Sequence, residues 1–374
     1  MKKIIGFILF AFFISSAYCY SQKQPEASPV VLAYVTSWSI VMPDPAYVTH
    51  INYAFGQVNE TFNGVMINRP ARAGNNTNDG RPTSEDRLRS IVELKKKRPS
   101  LKVLLSIGGW GSGRFSEMAA DAKNRLAFAA DCQRIVKEFG LDGIDMDWEY
   151  PTSSAGRISS SPQDTENFTL LMRDIRNAIG KNKLLTFASA SNAGYVDFKA
   201  VEPYIDFVNI MTYDMITNGS GHHSSLYRSG LTGAPGRNVS CEESVEAHVK
   251  AGIPIHRLVL GMPFYGHGRD KVPNNIDYRN IVNKRGLIGI ISRDGETTML
   301  DDHKELWDET AQVPYWVDGE GKFVLSYDNP RSLSLKCEWL KKKGMLGAMY
   351  WEYNGDDNEG TLRKTVYNCV IDKK

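Results

Sequence analysis

Asp142-Gly143-Ile144-Asp145-Met146-Asp147-Trp148-Glu149-Tyr150 is the stretch from which the rest of the chain is read. Asp145, Asp147 and Glu149 recur at spacing two, with Ile144, Met146 and Trp148 between them. Alternate residues of a β-strand point to the same side. A strand here would line one face with three carboxylates at intervals of roughly 6–7 Å and send the apolar residues into a packing layer. Carboxylates crowded in this way oppose one another's ionisation and raise at least one pKa. A carboxyl group kept protonated near neutral pH is of no use to a surface strand, but an acid catalyst needs one.

Around this stretch, apolar β-rich segments recur at 30–38, 48–58, 101–110, 141–150, 184–191, 205–214, 257–266 and 345–353. Several are nearly continuous apolar runs, as parallel strands covered by helices require. Helical patterns separate many of them. The pattern at 84–98 opens on Ser84 as a cap and ends before Pro99, that at 115–139 stops at Gly140, and that at 165–179 stops at Gly180. Further helices are expected at 241–250, 332–343 and 361–370. Eight strands alternating with helices predict an α/β fold, a (β/α)8 TIM barrel, built from residues 28–266 and 344–374.

The rhythm breaks across residues 267–343, a span far beyond an ordinary strand-to-helix connection. Short β-like pieces at 286–291, 297–301 and 322–327 predict a small α+β insertion after strand seven. Barrel active sites form at the C-terminal ends of the strands, so this insertion is expected to wall one side of a cleft. The long loops 59–83, 152–162 and 217–240 reach the same face, and such a rim suits an extended substrate.

Composition sets outer limits. The 374 residues are 42% hydrophobic and 24% charged, as in a soluble globular protein, and the formal charge of +2 gives no bulk electrostatic drive toward nucleic acid. Residues 1–20 differ from the rest. Lys2 and Lys3 precede an apolar run over 4–14 and the small residues Ser15, Ser16 and Ala17, the layout of a secretory signal peptide too short to span a bilayer. Cleavage between Ala17 and Ser21 would deliver a secreted protein, extracellular or periplasmic, expected to be a monomer with no membrane span. The bulky Tyr18 argues against a lipid on Cys19. Cleavage after Cys19 leaves Cys132, Cys241, Cys337 and Cys369, enough for two disulfides. Cys132 and Cys337 fall inside helical patterns, which favours buried free thiols. His222-His223 lies in a Gly/Ser-rich loop with no further His or Cys at ligand spacing, so no zinc site, and no cofactor, is expected.

Four motifs carry a family resemblance. DGIDMDWE at 142–149 matches the DxxDxDxE signature of glycoside hydrolase family 18, and Ser106-Ile107-Gly108-Gly109 matches that family's SxGG strand. Met211-Thr212-Tyr213-Asp214 matches its MxYD strand, and Tyr350-Trp351 its final-strand tryptophan. They occur in the family's order on predicted strands three, four, six and eight, and the resemblance spans essentially the whole chain after the leader.

The resemblance implies hydrolysis of chitin or N-acetylglucosamine oligosaccharides with retention, the substrate's own acetamido oxygen attacking the anomeric carbon in place of a protein nucleophile. Glu149 then resembles the general acid, and Asp147 the residue that orients the N-acetyl group. Asp145 would share a proton with Asp147, coupling their titrations. Tyr213 resembles the phenol that bonds the acetamido oxygen, and Asp214 would bond the same sugar or tune Glu149. Trp351 looks like the floor beneath the reactive sugar; Tyr34 and Phe55 match further aromatic pocket positions. Trp110 resembles the aromatic that stacks on the sugar beyond the cleavage point. Met211 is read as packing or a small part of the pocket, Tyr265 as a cleft residue, and Asp142, Gly108 and Gly109 as architectural.

One departure stands out. Family chitinases often carry Arg after the Met-Pro-x-Tyr-Gly motif, whereas Met262-Pro263-Phe264-Tyr265-Gly266 is followed by His267, with Arg269 two residues on as the expected substitute. A divalent-metal site on the three carboxylates competes with the acid reading, but no His accompanies them and the motif is complete. Two other functions share the resemblance. An endo-β-N-acetylglucosaminidase acting on the N-glycan core is disfavoured by the long insertion, since such relatives resemble a plainer barrel. A chitin-binding lectin is disfavoured by the presence of Glu149 with both neighbouring aspartates.

Overall fold

The computed structural model describes residues 28–67, 82–216, 221–231, 240–269, 272, 274–283 and 303–371. Its strands in chain order are β1 (Val30–Thr36), β2 (His50–Val58), β3 (Val65–Met66), β4 (Lys102–Gly108), β5 (Gly143–Asp147), β6 (Leu184–Ala190), β7 (Phe207–Met211) and β8 (Leu258–Pro263). Then follow β9 (Tyr265–Gly268), β10 (Asn274–Asp277), β11 (Lys304–Asp308), β12 (Val313–Val317), β13 (Phe323–Ser326) and β14 (Gly347–Trp351). Eight of them, β1, β2, β4 to β8 and β14, pair in parallel around a closed ring, with β1 bonded to β14 on one side and to β2 on the other. The fold is a TIM barrel, and β3 only extends β2 as an antiparallel hairpin.

Strand periodicity sorts the side chains. In β1, Val31, Ala33 and Val35 join the large apolar layer under the helices, while Val30, Leu32 and Tyr34 join a smaller cluster inside the barrel. In β5, Ile144 and Met146 face the outer layer, as does Trp148 just beyond the strand. Each fully buried aliphatic side chain in that layer contributes about 1.5–3 kcal/mol. The inward positions of β4 to β7 include the fully buried polar residues Ser106, Asp145, Thr186 and Asn209. The barrel interior is therefore greasy near β1 and β14 and polar opposite.

The helices cover the ring as α1 (Ser84–Val92), α2 (Phe115–Ala120), α3 (Ala122–Phe139), α4 (Asp164–Ile179), α5 (Phe198–Val201), α6 (Cys241–Ala251), α7 (Tyr278–Val282), α8 (Pro330–Lys343) and α9 (Thr361–Ile371). The single helix expected at 115–139 is two. Asp121 breaks it by adopting extended backbone and capping α3, its carboxylate accepting from Asn124 N at 2.8 Å. The cap of α1 is Thr83 rather than Ser84, in a reciprocal box with Asp86. The β-run at 141–150 also proves shorter as a strand, since β5 ends at Asp147.

The stretch 257–266 divides at Phe264, whose ring stacks on Tyr350 at 4.2 Å. Up to Pro263 it belongs to the barrel; from Tyr265 it enters a second sheet ordered β10-β9-β13-β12-β11, antiparallel throughout. This sheet, with α7, lies in the chain between β8 and β14, across the stretch where the α+β insertion is expected, and begins at Tyr265. The strand-like piece at 322–327 appears as β13, while 286–291 and 297–301 lie outside the described residues, as do residues 1–20, Cys19 among them. Cys132, Cys241, Cys337 and Cys369 are free thiols. No helix among the described residues is long and apolar enough to cross a membrane.

Candidate active site

A cavity of about 1160 Å³ opens at the C-terminal ends of the barrel strands. Asp147 closes β5, and Glu149 enters the cavity two residues past the strand end rather than from the strand itself. The strands around it are held close by glycine. Gly108 pairs with Asp147, and a Cβ at Gly108 would stand 2.0 Å from the Asp147 carbonyl oxygen, at a φ of +131° that side-chain-bearing residues rarely adopt. Gly109 N donates to that same oxygen at 2.8 Å, and a Cβ there would meet the Phe55 ring at 2.7 Å. The two glycines thus let β4 carry the backbone against both the carboxylates and the aromatic floor.

Asp145 is fully buried and takes four donors. Tyr34 Oη at 2.9 Å and Ser106 Oγ at 2.8 Å bond Oδ2; Thr186 Oγ1 at 2.6 Å and Asn209 Nδ2 at 3.1 Å bond Oδ1. Burial raises its pKa, and these donors oppose the rise. Asp147 is also buried, yet its Oδ1 has no hydrogen-bond partner. Burial, then the charges of Glu149 and Asp145, push its pKa well above the ordinary carboxylate range. Glu149 is pushed up to about 7, chiefly by burial, with a hydrogen bond from Tyr150 opposing and the charge of Asp214 adding. Asp142 stands apart, accepting from Lys95 Nζ at 2.7 Å and from Val103 N at 2.9 Å, which pins the start of β4.

The aromatic walls follow from strand parity. In β14, Ala348 and Tyr350 face the outer layer while Met349 and Trp351 face inward. Trp351 stacks on Phe55 at 5.6 Å and 19°, and Tyr34 lies 5.8 Å away. Tyr213 is buried two residues past the end of β7 with its hydroxyl 4.0 Å from Met349 Sδ, and burial raises its pKa well above the usual phenol value. Met211, the last residue of β7, also lines the cavity. Trp110 is 63% exposed on the rim and meets Tyr150 at 6.4 Å; Tyr150 stacks on Tyr195 at 4.8 Å. Trp38, 60% exposed, continues the wall from Phe55 at 6.4 Å.

Trp38, Tyr150 and Tyr195 were not anticipated as site residues. Tyr150 adjoins the carboxylate motif and Trp38 ends the first apolar run, so both had a local signal. Tyr195 sits in the loop after β6 and had none.

On the opposite wall, β9 sends Tyr265 and His267 to Asp214. Tyr265 Oη donates to Asp214 Oδ1 at 2.5 Å, and His267 Nε2 lies 2.6 Å from the same oxygen. Arg269, the expected substitute for a family arginine, does not line the cavity. Its guanidinium lies 4.7 Å over the Phe323 ring and donates to Gly221 O at 3.4 Å, because β9 ends at Gly268 and turns it toward β13. Linear spacing gives His222-His223 no ligand partner, but the fold supplies neighbours that spacing does not show. β9 brings His267 to within 4.9 Å of the His223 ring, and Asp214, His223 and His267 form a possible ligand set that linear spacing cannot reveal. Burial alone would raise the Asp214 pKa, but His223 and His267 beside it hold the carboxyl well below its ordinary range.

The chain matches the family model Glycosyl hydrolases family 18 over residues 30–356. It is 31% identical over 401 residues to Chitinase A1 of Niallia circulans, covering 90% of this chain and 57% of that protein. To the Endochitinase of Manduca sexta it is 27% identical over 379 residues, covering 90% of this chain and 65% of the other. The chain thus spans less than two thirds of these two relatives. Among solved structures, a family 18 N-acetylglucosaminidase from Paenibacillus barengoltzii superposes with a TM-score of 0.74 at 32% identity, covering 91% of this chain and 100% of that one. With a model match running from the first barrel strand past the last, and the buried carboxylates at the mouth of a closed eight-stranded barrel, the chain belongs to glycosyl hydrolases family 18.

Proposed function

We propose that the protein is a chitinase that hydrolyses β-1,4 links between N-acetylglucosamine units with retention, using the substrate's acetamido group as nucleophile. The observation that carries this reading is Asp147, buried between Asp145 and Glu149 with Oδ1 lacking a partner. A buried polar atom left unpaired costs free energy and calls for an explanation. The N–H of a bound acetamido group would supply the partner.

The proton assignment follows from the donors. Asp145 has both oxygens satisfied twice over, so it bears the negative charge, and the proton of the coupled pair resides on Asp147. Glu149 protonates the leaving oxygen as Asp147 holds the acetamido group and Tyr213 hydroxyl donates to its oxygen. That oxygen attacks the anomeric carbon, giving an oxazolinium ion and a departing sugar alcohol. The Glu149 carboxylate then takes a proton from the water that opens the ring, restoring the acid. Trp351, stacked on Phe55, supplies an apolar floor for a pyranose, and Trp110 a second face at the rim.

Defined N-acetylglucosamine oligomers test this directly: hydrolysis at internal links supports it, and release of single sugars from one end alone would favour the second reading, an N-acetylglucosaminidase like the Paenibacillus barengoltzii relative. Activity on N-linked glycoprotein alone would contradict both. We also infer export, from the charged and apolar layout of residues 1–20; N-terminal sequencing of secreted protein, beginning between Ala17 and Ser21, checks it.

A further inference from the structure

We infer that Asp214, His223 and His267 form a binding site for a borderline transition-metal dication, zinc being the type, and that its occupancy competes with sugar in the cleft. Asp214 Oδ1 lies 2.6 Å from His267 Nε2 and 3.6 Å from His223 Nδ1, and one ligand atom from each residue falls within 4.8 Å of the others. Tetrahedral zinc with ligands at about 2.0–2.2 Å keeps donor atoms roughly 3.3–3.5 Å apart. The observed separations bracket that value. Asp214, with a side chain 54% exposed, has the freedom to take up the difference.

His223 provides an independent reason. Its side chain is fully buried, and neither ring nitrogen has a hydrogen-bond partner among the described residues. A buried imidazole in that condition is costly, and a metal ion would satisfy the nitrogen that faces Asp214. The residue is also held in place. Its N–H donates to Ser326 Oγ at 3.0 Å and its carbonyl accepts from Met215 N at 3.1 Å. The neighbouring Ser224 is fastened by the buried Lys336 ammonium, which also pairs with Asp328 at 2.6 Å. A site whose least mobile ligand is preset loses less order on binding.

Access and selectivity follow from the same residues. Asp214 and His267 line the cavity, so an ion enters from the cleft and leaves a fourth position toward it. Two imidazoles and one carboxylate suit zinc or copper and disfavour calcium and magnesium, which demand oxygen ligands. Metal ligation would claim the Asp214 oxygen that now accepts from Tyr265 and His267, and would rearrange the wall of the sugar cleft. The competition clause rests on the hydrolytic reading; the metal site itself does not.

The test is calorimetric titration of tag-free protein with zinc sulfate, with calcium chloride as a parallel arm. One equivalent of zinc should bind saturably while calcium gives no heat. His267→Gln, at the cavity edge, should weaken zinc by no less than the roughly 10–100-fold that loss of a mere second-sphere partner costs. His223→Gln should do the same, with circular dichroism to verify its fold. Saturating N-acetylglucosamine oligomer should raise the apparent zinc Kd. No saturable zinc binding, binding unchanged in His267→Gln, or calcium binding as tightly as zinc would overturn the site; an unchanged zinc Kd under saturating oligomer would overturn the competition. Turnover is measured separately in zinc-free buffer, so its absence counts against the hydrolytic reading whatever the zinc titration gives.

Discussion

In the proposed mechanism Glu149 donates a proton at a pH where an ordinary glutamate, with a pKa of about 4.3, has lost it. Its pKa near 7 removes the conflict. The sign follows: the carboxyl is protonated below pH 7 and loses its proton above it, so turnover should fall about tenfold per pH unit on the alkaline side. Burial sets this limb first, with the hydrogen bond from Tyr150 opposing it and the charge of Asp214 adding to it. A pH profile of kcat on a soluble oligomer checks it, and a limb flat to pH 9 would contradict the assignment. Glu149→Gln should lower kcat by at least about 10²–10⁴-fold while oligomer binding, read by calorimetry, persists. Unchanged turnover would remove Glu149 from the acid role. Asp145, Asp147 and Glu149 were legible in the sequence because one short segment carries all three. Their division of labour was not, because the donors to Asp145 come from β1, β4, β6 and β7. The Asp214–His223–His267 cluster was illegible for the same reason, its members coming from three separate stretches of chain.

At the scale of elements, the close approach of β4 to β5 makes Gly108 a sharp test. Gly108→Ala forces a Cβ toward the Asp147 carbonyl at a disfavoured φ, and should cost at least about 1–3 kcal/mol in denaturant unfolding as well as turnover. Gly230→Ala, where a Cβ would meet nothing within 4 Å, should stay within about 0.5 kcal/mol of the parent. Lys336→Ala leaves the buried Asp328 without its cation, with only the Ser332 hydroxyl still donating to it, and should cost about 3–5 kcal/mol. A loss below 1 kcal/mol would mean the pair does not anchor the His222-His223 segment. Element identity was readable from periodicity, but several boundaries were not. Asp121 reads equally well as a helix-surface residue or as a cap, and only the packing of α2 and α3 on α4 selects the break. Nothing in 141–150 distinguishes a strand ending at Asp147 from one running to Tyr150, since the outward apolar positions continue through Trp148.

At the scale of the molecule, parity around a closed ring turns a linear pattern into a site. The inward positions near the ends of β1, β5, β7 and β14 include Tyr34, Asp147, Met211 and Trp351, and all four line one cavity walled in part by Tyr265 and His267 from the second sheet. The barrel could be read ahead because eight apolar strands and their helices repeat; the stretch after the seventh could be read from the break in rhythm and its short β-like pieces, but not for the direction of Arg269. In the proposed mechanism two successive displacements occur at the anomeric carbon, the first by the acetamido oxygen and the second by water, rather than a single direct attack by water. Two displacements at the anomeric carbon retain configuration. The direct measurement is the anomeric form of the first products from an N-acetylglucosamine oligomer, followed by proton NMR before mutarotation. Initial accumulation of the β-anomer is the predicted result; initial accumulation of the α-anomer would contradict it.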